Sequence, residues 1–172
     1  EPQLAQKFGG GAVEFSSDGR LLAARVARGT VGFWDSTNPN ELRICNQVEC
    51  NPSTGSESMA FIPGTYLAVF CVAPALNGKG RNSYKLVVVD TLTQEVVRTI
   101  HDNENAFALD VSPDGRLLAG AGGTGALRIW DLESGDQLLR RKVDNSWILA
   151  VTFSPDGKHI ATGCRNSAID VF

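Results

Sequence analysis

Apolar and polar residues alternate along this chain in short runs, and the same turn recurs between them. Val13-Glu-Phe-Ser-Ser-Asp-Gly-Arg-Leu-Leu-Ala-Ala24, Leu109-Asp-Val-Ser-Pro-Asp-Gly-Arg-Leu-Leu-Ala-Gly120 and Val151-Thr-Phe-Ser-Pro-Asp-Gly-Lys-His-Ile-Ala-Thr162 are three copies of one pattern. Each copy predicts a β-hairpin: an apolar stretch, a turn in which Pro can preset φ and Gly can take φ > 0, and a second apolar stretch. Asp114 and Asp156 stand 42 residues apart, and Asp18 and Asp114 stand 96 apart, close to twice that unit. A degraded copy, Met59-Ala-Phe-Ile-Pro-Gly-Thr-Tyr-Leu-Ala-Val69, lies between them, so four units fill the 172 residues.

After its hairpin each unit continues into a third strand: Thr30-Val-Gly-Phe-Trp-Asp35, Tyr84-Lys-Leu-Val-Val-Val-Asp90, Ala126-Leu-Arg-Ile-Trp-Asp131 and Ala168-Ile-Asp-Val-Phe172. Fourth strands are predicted over 41–48, 94–100 and 136–143. Units of this length cannot bury their own apolar faces and gain stability only by packing on one another. Four antiparallel strands per unit, with Ser-Pro-Asp-Gly turns and Trp34-Asp35 and Trp130-Asp131 at matching phase, resemble the WD-repeat family of β-propellers. The resemblance covers almost the whole chain. It implies an all-β, WD-type propeller of four-stranded blades, one domain over 1–172, with units at roughly 9–48, 55–100, 105–143 and 147–172, the last joined by 3–8.

The phase of the two ends matters for closure. The last unit stops at Phe172, the position of Trp in the first and third units, and so lacks a fourth strand. Gln3-Leu-Ala-Gln-Lys-Phe8 precedes the first hairpin much as Gln137-Leu-Leu-Arg-Arg-Lys142 precedes the last, and would complete that blade and cover its edge. A four-blade ring, an eight-blade ring shared by two chains and a segment of a longer ring all fit this phase.

Composition narrows the function classes. With 42% hydrophobic and 20% charged residues and a net charge of −3, the chain reads as an ordinary globular domain able to bury a core. Acidic and basic residues are interspersed, so nothing points to nucleic acid or to a membrane surface, and no apolar run is long enough to span a bilayer. No signal peptide is recognised, although a chain beginning at Glu1 is consistent with a processed or excised segment. Cys45, Cys50, Cys71 and Cys164 have neither metal-ligand spacing nor the density of a disulfide framework, which favours an intracellular, cytoplasmic setting. Cys71 and Cys164 fall in second strands, where a buried thiol acts as a small hydrophobe.

Catalytic chemistry finds no candidates. Only His101 and His159 are available, neither at a telling spacing from a nucleophile, and no cofactor or metal is implied. Gly120-Ala-Gly-Gly-Thr-Gly125 has the look of a phosphate loop, but no helix follows it, so it predicts a tight turn. Many WD repeats carry a buried network of His, Ser or Thr, Asp and Trp. Its turn position here reads Arg28, Thr124 and Asn166, its second-strand position Ala24, Gly120 and Thr162, and Asp102 and Asp144 stand where His is expected. The blades are therefore expected to hold mainly by apolar packing, with Trp34, Trp130 and Phe172 as core anchors. Glu14 shares its phase with Ala60, Asp110 and Thr152. Hairpin register places Arg25 diagonally across from it and predicts a pair, whereas Asp110, facing Ala119 and Ala121, gains no basic partner.

The resemblance also directs where binding is sought. In WD repeats the residues just before and at the start of the innermost strand crowd round one mouth of the central channel, where partners dock. By phase these are Glu57, Asn105, Phe107, Trp147 and Leu149, with Arg28 and Arg165 from neighbouring turns. Gly9, Gly10 and Gly11 leave the first unit's sector open. Phe107 and Leu149 would equally serve as packing between blades. The 73–83 insertion, carrying Lys79 and Arg81, reads as a surface loop or a partner-binding extension. The expectation is a non-catalytic scaffold for a protein or peptide partner, forming a homo-oligomer if the ring is shared. The alternative is a structural or recognition module of a larger multidomain enzyme, sensor or assembly.

Overall fold

The repeated turn determines how each unit begins. In a computed structural model describing residues 13–26, 30–45, 58–72, 84–102 and 104–172, with backbone alone at 25, 26 and 39–41, the N–H of Gly19, Gly115 and Gly157 donates at 2.8 Å to the carbonyl of Ser16, Ser112 and Ser154. These glycines adopt φ of 70°, 74° and 70°, a region that side chains disfavour. The serine hydroxyl donates to Asp18, Asp114 and Asp156 at 2.6, 2.5 and 2.6 Å, and the same carboxylate accepts the N–H two residues on. The second unit closes differently. Pro63 is followed by Gly64 at φ 70°, and the N–H of Thr65 reaches the Ile62 carbonyl at 3.2 Å, the pattern of a type II turn.

The Ser hydroxyl, and then the backbone N–H, hold the carboxyls of Asp18, Asp114 and Asp156 below their usual range. A carboxyl lowered in the folded state contributes stability above its unfolded pKa and loses it as pH falls through the folded value. Thermal stability should therefore decline as pH is lowered through and below 3.8, the ordinary aspartate value. An Asp114→Asn variant, less stable at neutral pH, should show a shallower acid limb in melts recorded across pH. An unchanged acid slope would exclude the turn aspartates as its source.

Four antiparallel sheets follow in chain order. The first holds β1 (Val13–Phe15), β2 (Leu21–Val26), β3 (Thr30–Asp35) and β4 (Asn38–Cys45), and the second β5 (Met59–Phe61), β6 (Leu67–Val72), β7 (Tyr84–Asp90) and β8 (Val96–Asp102). The third holds β9 (Ala108–Val111), β10 (Leu117–Ala121), β11 (Ala126–Asp131) and β12 (Gln137–Lys142), and the last β13 (Ile148–Phe153), β14 (Ile160–Cys164) and β15 (Ile169–Val171). The sheets are the blades of a four-blade β-propeller, with β1 packed near β5, β5 near β9 and β9 near β13. β4 begins at Asn38, three residues before the predicted start. Asp35 pairs with Asn38 across a bulge, and its carboxylate accepts the Thr37 N–H at 2.8 Å. Asp90 and Asp131 bond Leu92 and Glu133 in the same way, so the Asp closing three of the third strands shapes the turn into the fourth.

Each blade uses its two faces differently. Val31 and Phe33 of the first blade pack forward against Met59 and Phe61 of the second, with Phe33 edge-on to Phe70 at 6.0 Å. Leu86 and Val88 of the second blade meet Leu109, Val111 and Trp130 of the third. Leu127 of the third meets Val151 and Phe153 of the fourth. Trp34 and Trp130 are buried as expected, whereas Phe172 is half-buried, with the Arg141 guanidinium 4.7 Å above its ring. Cys45, Cys71 and Cys164 are buried, and Cys45 Sγ lies 3.2 Å from the Gln94 carbonyl of the next blade.

Glu14 sits opposite Ala23 in the predicted register, and burial together with the nearby Asp110 carboxylate pushes its carboxyl up. The Arg25 side chain, the partner expected for Glu14, lies outside the described residues, as do Cys50, residues 3–8 and the 73–83 insertion. Asp110 faces Ala119 and accepts the backbone N–H of Phe153 on the following blade at 2.6 Å.

Candidate protein-binding face

Gly122 to Gly125, between β10 and β11, fold as the expected tight turn, with the Gly125 N–H on the Gly122 carbonyl at 3.1 Å. This turn clamps the segment leading into the last blade. The Gly125 carbonyl accepts the N–H of Val143 and of Asp144 at 3.0 and 3.2 Å, and the Gly122 carbonyl accepts that of Ile148 at 3.1 Å. Trp147 is thereby placed at the start of the innermost strand. The N–H of Arg165, just after β14, donates to the Trp147 carbonyl at 2.8 Å and brings the guanidinium 4.9 Å above the indole. From the preceding blade, Phe107 is tied to the Ala121 carbonyl at 2.8 Å and lies 5.5 Å from the Trp147 ring at a 54° tilt.

Three of the seven residues expected at the mouth, Phe107, Trp147 and Arg165, thus form one stack. Trp147 remains 46% exposed within it, which makes it a platform rather than a core residue. Asn105 borders the stack, its Oδ1 accepting the Gly123 N–H at 3.3 Å. Leu149 is exposed in β13 and takes no part in the ring contacts. Glu57 and Arg28 lie outside the described residues. No carboxylate forms an ion pair with Arg165 among the described residues, so its guanidinium edge is open to a ligand.

The sequence reading missed a polar assembly in this blade, which adds to the apolar packing of Leu109, Val111, Leu118 and Trp130. Arg128, fully buried in β11, donates from Nη1 to Asp102 Oδ2 and to the Glu104 carbonyl at 3.1 Å, and from Nη2 to the Asn105 carbonyl at 2.7 Å. Its guanidinium also lies 5.3 Å from the Trp130 ring centroid. Glu104 accepts the Thr124 hydroxyl at 2.6 Å and the Arg140 Nε and Nη2 at 2.9 and 2.7 Å. Burial raises the Asp102 carboxyl, and Arg128 only partly offsets it. Burial works in the same direction on Glu104, but the Thr124 and Arg140 bonds and the Arg128 charge together hold it below its usual range. In the last blade Asn166 Nδ2 donates to Asp144 Oδ2 at 3.1 Å, so of the acids standing at the expected His positions Asp144 bonds to a turn and Asp102 to the third-strand Arg128. The available signal was Arg128 itself, a charge at the strand phase held elsewhere by Gly32, Val87 and Asp170.

The WD40 family model, described as WD domain, G-beta repeat, matches residues 94–131 and 137–172. The chain carries WD repeats in a β-propeller fold. This WD-repeat chain is 28% identical over 178 residues to human apoptotic protease-activating factor 1, covering 90% of the chain and 14% of that protein. It is 25% identical over 160 residues to protein groucho of Drosophila melanogaster, covering 92% of the chain and 20% of that protein. The similarity to U3 small nucleolar RNA-associated protein 21 of Saccharomyces cerevisiae reaches 40% identity over 78 residues, or 45% of the chain and 8% of that protein. The WD-repeat chain therefore spans a fifth or less of these relatives.

Proposed function

We propose that this WD-repeat propeller is a non-catalytic scaffold that captures a protein or peptide partner at the mouth formed by the third and fourth blades. The observation that carries the reading is the half-exposed Trp147, held between Phe107 and an Arg165 that has no carboxylate partner among the described residues. Rigid aromatic side chains beside Arg are the usual composition of binding hot spots. Asn105 and Leu149 lie at the rim of this contact, and Glu57 and Arg28 hold the corresponding phase in other sectors. The buried free thiols of Cys45 and Cys164 support an intracellular setting.

Substituting Phe107 and Trp147 together by Ala should weaken partner capture by about 30-fold or more, since loss of a hot-spot side chain costs about 2 kcal/mol or more. Quantitative pull-down or surface binding measures this, and thermal denaturation establishes that the half-exposed residues are not needed for folding. Unchanged capture by a stably folded double variant would overturn the mouth reading and transfer it to the loop carrying Lys79 and Arg81. A second reading, a recognition module within a larger multidomain protein, is favoured by the small share of each relative that the chain spans. Both readings use the same mouth.

A further inference from the structure

Around the mouth of the third and fourth blades the described carboxylates are all engaged, and one cation is not. Asp102 accepts from Arg128, Glu104 from the Thr124 hydroxyl and Arg140, and Asp144 from Asn166 and from the Ser146 N–H at 2.7 Å. Lys142 Nζ donates to the Thr124 carbonyl at 2.6 Å. The Arg165 side chain meets the Trp147 ring and no acceptor among the described residues, and a cation–π contact uses the charge of a guanidinium but none of its five N–H donors. The backbone fixes where those donors start. The Arg165 N–H is bonded to the Trp147 carbonyl, and the turn beyond it is closed by the Ser167 N–H on the Cys164 carbonyl at 3.0 Å and the Ala168 N–H on Asn166 Oδ1 at 3.2 Å. Little ordering is left to be done on binding.

We infer that the segment captured at this mouth is acidic: an Asp or Glu side chain of the partner peptide takes the open N–H edge of Arg165 while an adjacent apolar side chain lies on Trp147 and Phe107. This deepens the mouth reading above and rests on it. Charge complementarity selects the occupant. A basic segment finds no unengaged carboxylate among the described residues of the mouth, and the other end of the blades, where the turns carry Asp18, Asp35, Asp90, Asp114, Asp131 and Asp156, repels an acidic one. A single guanidinium fork matches the two oxygens of one carboxylate. Phosphorylated segments and single-stranded nucleic acid are held by Arg clusters or by a basic groove, and the described residues of the mouth provide neither.

Panning a phage-displayed random peptide library on the chain, with the Phe107→Ala/Trp147→Ala double variant as counter-selection, tests the mouth and its charge preference separately. The peptides retained should carry Asp or Glu beside an apolar residue. In fluorescence anisotropy Arg165→Gln, a change at an exposed site, should weaken the best of them about 10-fold, the worth of one charge-assisted hydrogen bond. Arg165→Lys, which keeps the charge but not the fork, should fall between. The same peptide with its acids changed to Asn or Gln should bind the wild type and Arg165→Gln equally. Retained peptides that are neutral or basic would overturn the acidic partner and leave the mouth reading standing. So would unchanged affinity in a folded Arg165→Gln variant, or tighter binding of a labelled oligouridylate or of a phosphoserine peptide. A library that yields no peptide separating the wild type from the double variant would overturn the mouth reading itself, and the acidic partner with it.

Discussion

Replacing Arg128 by Met should cost about 3–5 kcal/mol of folding stability, the range for removing one partner of a buried ion pair. The loss would come less from the missing attraction than from what stays behind. Asp102 would keep a buried carboxylate, and the carbonyls of Glu104 and Asn105 would lose their guanidinium donors. The pH dependence separates this account from a simple packing defect. Burial already raises Asp102 in the native chain, and without Arg128 nothing comparable offsets it. A carboxyl raised in the folded state binds its proton more tightly there, so stability increases as pH falls from the folded value toward the unfolded one. Urea denaturation of the Arg128→Met variant should thus show partial recovery on mild acidification, and pairing it with Asp102→Asn should restore much of the loss at neutral pH. A variant equally unstable at both pH values would assign Arg128 a packing role instead.

Gly125→Ala is expected to be the most damaging change of a single small side chain. A Cβ there would sit 2.2 Å from the Asp144 carbonyl and 2.5 Å from that of Ser146, both backbone atoms, at φ +67°. The left-handed conformation alone costs about 1–2 kcal/mol for a residue with a side chain. Relief of the clash must also move the 144–146 segment, so a total of about 3–4 kcal/mol is expected, at the upper end for point substitutions. Gly163→Ala supplies the comparison, because its Cβ would meet only Ala150 Cβ at 3.6 Å. Denaturation measures the difference, and iodide quenching of tryptophan reports the site. Trp34 and Trp130 are buried and Trp147 is exposed, so the quenchable emission follows Trp147 as its supporting segment shifts.

The elements were legible because each is written locally. Period-two alternation, the Ser-x-Asp-Gly turn and the Asp after the third strand all act within a few residues, and the hairpin registers followed directly. Phase also singled out Phe107, Trp147 and Arg165, whose side chains lie in contact, since a repeat carries equivalent positions to the same end of every blade. The Arg128 assembly was not legible in the same way. Its partners lie more than twenty residues away, and a buried guanidinium contradicts the ordinary assignment of charge to the surface. The earlier start of β4 came from a bulge that let turn-forming residues continue the ladder.

The carboxylate that Asp110 extends to the Phe153 amide gives the junction of the third and fourth blades a side-chain acceptor for a strand amide that no other junction shows among the described residues. That amide hydrogen belongs to one blade while its acceptor belongs to the neighbour. Local fraying of the fourth blade about its own strands leaves this bond in place, and only separation of the two blades exposes the amide to solvent. Its exchange with deuterium is therefore governed by the free energy of opening the junction, which makes a single backbone site a clock for the breathing of the ring, read at the end of β13 away from Trp147.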